Sequence, residues 1–457
     1  MTVIIFGCVK FPSVKAWTPV EGHITQDTWW TIEDSPYRLV KDVIVDPNVT
    51  LTIEPGVRVE FADGMSLIVE GSLYCLGTED KPINFTSSNL NPYPGIYEGI
   101  KFEPVTNSSL LVLNHSLIEY ADIGVLIQSK SIRPLSSLAF INNTMVRNTI
   151  VGINISRAIH PMMIIIQNSE ITHNIIGIQV GNYLCAYQDI NLTIYGNDIS
   201  DNLLGIIIHY VVGDKISIFD NSLFKNLVGL HVFSSELLVK DNLISAGQVG
   251  IFLVWPKMCQ IIRNTITSHE GEGELYGETI INIVPTLEYF RKEHNMRSTI
   301  DDQIISCGIL ICDDMRNAII MNNSISYNDY GIYFFSLFSE SFRYDSKANV
   351  TFNDIYENNK YGIFVTGDYP SCEVVAENNY WGDPTGPFHP SINPEGLGDQ
   401  VNGDGQNLDF IPFRTLPLGH INQRPIAILD ADKTHVAVNE LITLNASQSY
   451  DDGQITY

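Results

Sequence analysis

Residues 190–209 read INLTIYGNDISDNLLGIIIH, and this stretch contains the pattern that decides the fold. The pattern returns as ISIFDNSLFKNLVGLHVF at 216–233 and as LLVKDNLISAGQVGIFLV at 237–254. Each copy has three short segments in which apolar residues alternate with other residues, separated by one polar turn and then by a second turn that ends in Gly. Alternation with period two, rich in β-branched residues, is typical of strands whose alternate side chains face one interior. The sequence therefore predicts three short strands per copy.

The same frame repeats through most of the chain, from about residue 110 to residue 382. A polar residue, usually Asn, stands at the first turn of each copy, and a Gly follows eight residues later in most copies. The frame residues are Ser116, Thr144, Ser169, Asn197, Asn221, Asn242, Asn264, Asn323, Asn353 and Asn379. Copies of roughly 21–30 residues with three strands each predict an all-β, right-handed parallel β-helix of three sheets and roughly 12 coils.

The Asn columns are predicted to be structural ladders. Asn tolerates left-handed backbone geometry, and its amide can bond to the equivalent amide one coil away. The first ladder comprises Asn197, Asn221, Asn242, Asn264, Asn323, Asn353 and Asn379, and the second comprises Asn174, Asn202, Asn226, Asn328 and Asn358. The Gly is expected to supply a positive φ or a close approach at the turn into the third strand. Ile199, Leu223 and Ile244 are expected to stack as one inward column of the core.

Composition and charge exclude several classes of function. The 457 residues carry a net charge of −26 with only 26 Lys and Arg residues, which argues against a nucleic-acid partner. No apolar run approaches the ~20 residues that a membrane span requires. Residues 1–16 are interpreted as the remnant of a signal peptide with cleavage at Ala16, so a secreted, extracellular or cell-surface location is expected.

Both ends of the repeat carry recognisable motifs. TLTIEPGVRVEF at 50–61 and NNYWGDPTGP at 378–387 resemble the opening and closing segments of secreted bacterial and archaeal β-helix proteins of the NosD-like and pectate-lyase-like superfamily. The resemblance implies a β-helix over residues 17–412 with an N-terminal cap, followed by a linker at 413–424. Residues 425–457 resemble the first strands of a PKD domain, and about 33 residues are too few to close a β-sandwich of ~100 residues.

The superfamily resemblance raises an enzyme hypothesis, because polysaccharide lyases and glycoside hydrolases use this fold. Such enzymes need carboxylates and a base that converge from adjacent coils. The outward positions beside the frame residues show no stack of acids. The weak catalytic candidates are Asp301, Asp302, Asp313 and Asp314, with Arg291 and His294 nearby in the sequence.

An insertion at 269–303 interrupts the repeat beside an apolar outer stripe on the third sheet, which includes Phe252 and Tyr333. A long apolar stripe should not face water, so the insertion is expected to cover it. A bare stripe would instead be a surface for a partner or for oligomerisation. Aromatic and polar residues between the insertion and the body suggest a sugar platform. These residues are Tyr327, Tyr330, Tyr344, Tyr356 and Glu288.

Calcium is the one cofactor that the sequence suggests. Asp399, Asp404 and Asp409 supply oxygen ligands in a Gly-rich segment, although the spacing of a calcium loop is absent. The leading interpretation is a non-catalytic extracellular or cell-surface scaffold that binds a glycan or a cell-surface protein. The alternative is a polysaccharide lyase or glycoside hydrolase that acts on an acidic polysaccharide.

Overall fold

The structure is a computed structural model that describes most of the chain. The described residues are 17–129, 137–156, 162–181, 190–211, 216–256, 258–268, 306–312, 318–335, 346–366, 372–402, 408–418, 430–431 and 444–445. The chain folds into two compact units. The first unit comprises Met1–Leu238, Ser245–Gly247 and Ile251–Val254, and the second comprises Val239–Ile244, Gln248–Gly250 and Trp255–Tyr457.

Each unit is a stretch of parallel β-helix, and the chain makes about 11 turns with three sheets. This confirms the predicted fold class, with about one turn fewer than expected. The one helical segment in the described residues is the 3-10 turn Ile32–Asp34. We number the three sheets by the order in which each coil visits them.

The first unit contributes most strands to each sheet. First-sheet strands are Thr28–Trp30, Thr50–Ile53, Ser72–Leu76, Leu110–Asn114, Leu138–Asn142, Met162–Gln167, Ile190–Tyr195 and Ile216–Phe219. Second-sheet strands are Arg58–Phe61, Ile83–Ser87, Ser116–Glu119, Met145–Arg147, Glu170–Thr172, Asp198–Ser200 and Ser222–Phe224. Third-sheet strands are Ser66–Val69, Gly99–Phe102, Ile123–Ile127, Val151–Ile155, Ile176–Val180, Leu204–His209 and Val228–Phe233. The long strands Thr18–Ile24 and Tyr37–Val45 pair with each other in parallel before the sheets separate.

The coil made of Leu237–Lys240, Leu243–Ala246 and Val249–Val254 contains residues of both units. In the second unit, the first-sheet strands are Cys259–Ile262, Ile319–Met321, Ser346–Thr351, Cys372–Val375 and Leu408–Asp409. The second-sheet strands are Thr265–Ser268, Ser324–Ser326 and Asp354–Tyr356, and the third-sheet strands are Cys307–Cys312, Tyr330–Phe335 and Tyr361–Val365. Two small pairs complete the strands: Pro387–Phe388 with Gly398–Gln400, and Asp430–Ala431 with Leu444–Asn445. The predicted PKD-like fragment is described only at the last of these pairs and stays a prediction.

The core consists of the predicted inward columns. In the first unit Ile199 lies opposite Leu223 in parallel register, and both side chains are fully buried. Ile244, in the second unit, is buried as well. Burial of each such side chain contributes roughly 1.5–3 kcal/mol, so a column repeated in every coil stabilises the whole stack. Four cysteine side chains, Cys75, Cys259, Cys307 and Cys312, are buried in the core, where they pack as small apolar residues.

Asn side chains bridge neighbouring coils, and the left-handed residue of each turn is not the Asn itself. In the first unit Asn202 Nδ2 donates to Asn226 Oδ1 at 3.0 Å and to the Ile171 carbonyl at 2.9 Å. The left-handed residue is the one before the ladder Asn, such as Asp201 with a φ of 53°. The expectation that the Asn itself is left-handed was therefore wrong. The preceding residue turns the corner, which leaves the Asn side chain free to bridge neighbouring coils.

The repeat Gly residues are required by close approach and not by a positive φ. A Cβ on Gly205 would lie 2.5 Å from the Gly229 carbonyl oxygen, and one on Gly177 would lie 2.6 Å from that of Gly205. No real Cβ tolerates such a contact with backbone, so any other residue would push neighbouring coils apart. Of the two roles expected for this Gly, the structure selects the second.

Candidate functional site

The catalytic candidates fall in segments that the structure does not describe. Asp301, Asp302, Asp313, Asp314, Arg291 and His294 lie outside the described residues, as do Glu288 and Tyr344 of the predicted sugar platform. Their roles stay predictions.

Two of the predicted platform tyrosines are neighbours in the second unit. The rings of Tyr327 and Tyr356 meet edge to face with centroids 6.4 Å apart, and Tyr327 is 58% exposed. Tyr330 points elsewhere, because its ring is buried against Tyr333 at 4.9 Å and Phe364 at 5.6 Å. The structure thus brings Tyr327 and Tyr356 together, while the buried Tyr330 ring packs against Tyr333 and Phe364.

The apolar outer stripe of the third sheet is buried. Within the first unit Ile207 and Phe252 are inaccessible to water, and within the second unit Leu310 and Tyr333 are equally buried. The strands Leu204–His209 and Tyr330–Phe335 are buried at every position, so both faces of this sheet are covered. The insertion at 269–303 that was predicted to cover it lies outside the described residues. Because these stripe residues are buried, they do not form a bare surface for oligomerisation.

Two histidines lie in this stripe in the first unit. His209 Nε2 and His231 Nδ1 are 3.1 Å apart, and the edge of the His209 ring meets the His231 ring. Burial lowers the pKa of His209 to about 3. Burial, with the adjacent His209, also holds the pKa of His231 well below its ordinary value. Both imidazoles are therefore neutral at pH 7 and act as a hydrogen-bonded pair between coils.

The predicted calcium ligands do not converge in the described part of the chain. Asp399 Oδ2 accepts hydrogen bonds from Asn358 Nδ2 at 2.7 Å and from the Asn358 backbone N–H at 3.1 Å. Asp399 thereby takes the acceptor position of the next ladder Asn. Asp409 is exposed and Asp404 lies outside the described residues. Within the described ranges no group of three His, Cys, Asp or Glu side chains is arranged to hold a metal ion.

The outer face of the first sheet in the first unit is a surface that was not predicted from the sequence. We call it the first-sheet face. Its strands run from Ser72–Leu76 to Ile216–Phe219, and their outward side chains form parallel columns because each strand pairs in register with the next. Apart from the buried Ser72, these side chains are half-buried or exposed, as shown by Met163 at 50% and Leu76 at 41% exposure.

One column of this face is apolar. Register pairs join Tyr74 to Val112, Val112 to Phe140, and Phe140 to Ile165. Leu110, Leu138 and Met163 form a second apolar row on the same strands. Each of these residues leaves part of its apolar surface in water, which is unusual over so many adjacent coils and marks a candidate binding surface.

The neighbouring column is built from side-chain amides. Asn142 Nδ2 donates to Asn114 Oδ1 at 2.8 Å, and Gln167 Nε2 donates to Asn142 Oδ1 at 2.9 Å. The Tyr195 hydroxyl donates to Gln167 Oε1, which extends the chain of hydrogen bonds by one coil. Further along, the Tyr195 ring stacks on Phe219 with centroids 5.1 Å apart and an interplanar angle of 6°.

The first-sheet face is uncharged in a strongly acidic protein. On the described strands between Ser72 and Phe219, the outward positions hold apolar, aromatic, hydroxyl and amide side chains, and no Asp, Glu, Lys or Arg. The net charge of the chain is −26, so this face is set apart from the rest of the surface.

The sequence held the signal for this face. Outward residues stand four and two positions before each frame residue, and in the early coils these are Val112 and Asn114, then Phe140 and Asn142. These positions carry no charge, so they do not belong to a column of acidic residues of the kind that a glycan-cleaving enzyme needs. Uncharged outward columns in the early coils are the pattern that predicts this surface.

Comparison with known proteins agrees with this architecture. Residues 99–283 match the family model described as the right-handed β-helix region. The chain contains a right-handed parallel β-helix. Two mutant forms of the periplasmic alginate epimerase AlgG are similar in structure, with TM-scores of 0.53 and 0.55 at 12% sequence identity. The similarity covers 76% of this chain and 83% of theirs, and at this identity it shows the fold alone.

A curated relative matches only a short segment. The protein bark beetle of Drosophila melanogaster is 36% identical over 62 residues, which are 14% of this chain and 2% of that protein. Among the described residues, no helix is both long enough and apolar enough for a membrane span.

Proposed function

We propose that the protein is an extracellular, non-catalytic β-helix that binds glycans on the first-sheet face. The observation that carries the proposal is the pair of adjacent columns on this face, one apolar and aromatic, the other made of amides. Sugars present apolar C–H faces and polar edges, so aromatic side chains beside hydrogen-bonding groups are the usual way to bind them.

The geometry of the face suits an extended ligand. Equivalent side chains recur once per coil, at roughly 4.8 Å, over a row of adjacent strands. A rigid array of this kind needs little ordering when a ligand binds, which reduces the entropic cost of association. The name of the similar protein AlgG, an alginate epimerase, supports a polysaccharide as the kind of ligand that this architecture accommodates.

The non-catalytic part of the proposal rests on the chemistry of the same face. Hydrolysis and elimination on polysaccharides need carboxylates or a strong base beside the scissile bond. The outward positions of the described first-sheet strands in the first unit supply neither. Binding without turnover is the function that these side chains support.

A glycan array probed with the full chain tests the proposal. We expect a set of bound glycans whose binding falls about tenfold in Phe140→Ala and in Tyr195→Ala, because each change removes a ring from the face. Leu243→Ala is the matched control, since Leu243 is an exposed apolar residue on the second sheet, and its binding should be unchanged. A screen without bound glycans, or bound glycans that ignore both ring deletions, contradicts the proposal.

The same glycans decide between binding and catalysis. Prolonged incubation followed by product analysis should recover each bound oligosaccharide intact, with and without calcium. Sustained turnover that Asp301→Ala or Asp313→Ala abolishes would establish the lyase or hydrolase alternative instead.

A further inference from the structure

We propose that the first-sheet face recognises 2-acetamido sugars, so that its ligand is a neutral glycan with N-acetylhexosamine units. This inference rests on the proposed function and names the ligand class of that same site. The acetamido group combines a carbonyl oxygen, which accepts hydrogen bonds, with an apolar methyl group. The two columns of the face offer partners for both parts.

The amide column has N–H groups to give, and each of its amide oxygens already accepts at least one hydrogen bond. Asn142 Oδ1 accepts hydrogen bonds from Gln167 Nε2 at 2.9 Å and from Asn168 Nδ2 at 3.2 Å, which fills its two lone pairs. Asn114 Oδ1 accepts from Asn142, and Gln167 Oε1 accepts from Tyr195. Each oxygen is engaged within the column.

The amide hydrogens are used differently. Each side-chain amide carries two N–H hydrogens. Asn142 Nδ2 places one on Asn114 Oδ1, and Gln167 Nε2 places one on Asn142 Oδ1. Both side chains are half-buried at the outer surface, and each amide nitrogen has one acceptor among the described residues, so the second hydrogen of each is available to a ligand. The column therefore selects ligands with acceptor groups repeated along their length.

The apolar column stands beside these donors on the same strands. Phe140 precedes Asn142 by two residues, and Ile165 precedes Gln167 by two. The two side chains of each pair therefore point outward on the same face, with their Cα atoms roughly 7 Å apart. A carbonyl group that accepts from Asn142 or Gln167 has its methyl group within reach of Phe140 or Ile165. A glucose hydroxyl at the same position can accept from the donor but has no methyl group to place on the apolar column.

Uronate and sulfated sugars fit this face less well. A carboxylate accepts amide hydrogen bonds, but it must give up its hydration without gaining a cation, because the described outward side chains of this face include none. The net charge of −26 adds long-range repulsion against a polyanion. A neutral glycan has neither cost.

Isothermal titration of the full chain with matched trisaccharides tests the inference. The probes are triacetylchitotriose, its glucose counterpart cellotriose, its deacetylated amine counterpart, and a mannuronate trimer. We expect triacetylchitotriose to bind at least about tenfold more tightly than each of the other three. Asn142→Asp, which removes the donor and keeps the size, should lower its affinity about tenfold.

Controls separate recognition from folding. Asn349→Asp changes an exposed Asn on the first sheet of the second unit and should leave the affinity unchanged. Melting temperatures show whether each variant folds. If Asn142→Asp does not fold, Gln167→Glu removes a donor at the neighbouring position of the same column. Rescue of affinity in Asn142→Gln, which restores an N–H donor, supports a direct contact.

Each outcome decides the inference. Tighter binding of the acetylated probe that depends on Asn142 or Gln167 supports it. Equal binding of triacetylchitotriose and cellotriose, lost in Phe140→Ala, overturns it and leaves the proposed function standing. Preferential binding of mannuronate or of the amine also overturns it. Absence of binding to any probe, together with an empty glycan array, overturns both the inference and the proposed function.

Discussion

The first unit contains two rows of hydrogen-bonded side-chain amides, one buried at the turns and one on the outer first-sheet face, and they serve different purposes. In the buried turn ladder, Asn202 Nδ2 places its two hydrogens on Asn226 Oδ1 and the Ile171 carbonyl. Its Oδ1 accepts from both the backbone N–H and the Nδ2 of Asn174, at 2.9 Å and 3.1 Å. In the outer column, Asn142 Nδ2 has one hydrogen-bond partner in the described part of the chain.

The difference separates structure from recognition. A buried amide with every group bonded gains nothing from a ligand and loses much when it is removed. A half-exposed amide with a hydrogen to spare contributes little to folding and can bind a ligand. The Asn-rich composition of the chain therefore has two physical causes, and burial tells which one applies at a given residue.

The largest expected effect comes from breaking the buried ladder. Asn202→Leu removes four hydrogen bonds and leaves the buried Asn174 backbone N–H without its side-chain acceptor. We expect the free energy of unfolding to fall by about 3 kcal/mol or more, measured by denaturant titration.

Asn142→Leu is the matched change in the outer column. Its free energy of unfolding should fall by less than about 1 kcal/mol, because water can replace the lost partners at the surface. Equal losses for the two variants would remove the distinction between the ladders.

The buried histidine pair provides an intermediate effect that depends on pH. The folded-state pKa of His209 is about 3, below its ordinary value of 6.5, so the unfolded chain binds more protons between these values. Stability should be fully present above pH 6.5 and should fall as the pH drops toward 3, by about 3 kcal/mol at pH 4.5.

Unfolding midpoints between pH 8 and pH 4.5 measure this loss. The double variant His209→Phe with His231→Phe removes both titrating groups, and its midpoint should change less steeply over that interval. A parallel pH profile for the double variant and the parent protein would show that other groups control acid stability.

A second pH-dependent effect, of opposite sign, concerns the end of the buried ladder in the second unit, where Asp399 occupies the position of a ladder Asn. Burial raises the pKa of Asp399 to about 6, from 3.8. The folded chain then binds more protons between these values, so Asp399 favours folding below pH 3.8 and this contribution is lost as the pH rises through 6. Asp399→Asn should therefore raise the free energy of unfolding by up to about 3 kcal/mol at pH 8 and change it little at pH 4.

Melting temperatures at the two pH values check the sign. Destabilisation of Asp399→Asn at pH 8 would show that the charged carboxylate is the better acceptor for Asn358. Destabilisation seen only with calcium present would favour the calcium prediction for Asp399.

The fold could be predicted because its cause is local and repeated. Ile199 and Leu223 occupy the same place in successive copies of the repeat. The repeated alternation of apolar residues therefore predicts the strands, the length of each coil and the residues of the core. The corner geometry could not be predicted as easily. Left-handed residues such as Asp201 and Lys225 share no residue type, since the ladder Asn that follows each of them determines the turn.

The candidate site was harder to predict because recognition depends on exposure, which alternation alone does not give. Phe140 and Phe252 both occupy outward positions, yet Phe140 is half-exposed and Phe252 is fully buried. Tyr327 and Tyr330 likewise differ in exposure although they were predicted to act together. The alternating pattern is the same at the exposed and the buried positions, so it carries no information about which outward side chains are exposed.

A crystal structure of the protein with the tightest-binding oligosaccharide tests the central claim most directly. We expect sugar rings over Phe140 and Ile165, with an acceptor oxygen of the glycan within hydrogen-bonding distance of Asn142 Nδ2. A glycan bound at Tyr327 and Tyr356, with the first-sheet face empty, would contradict the claim.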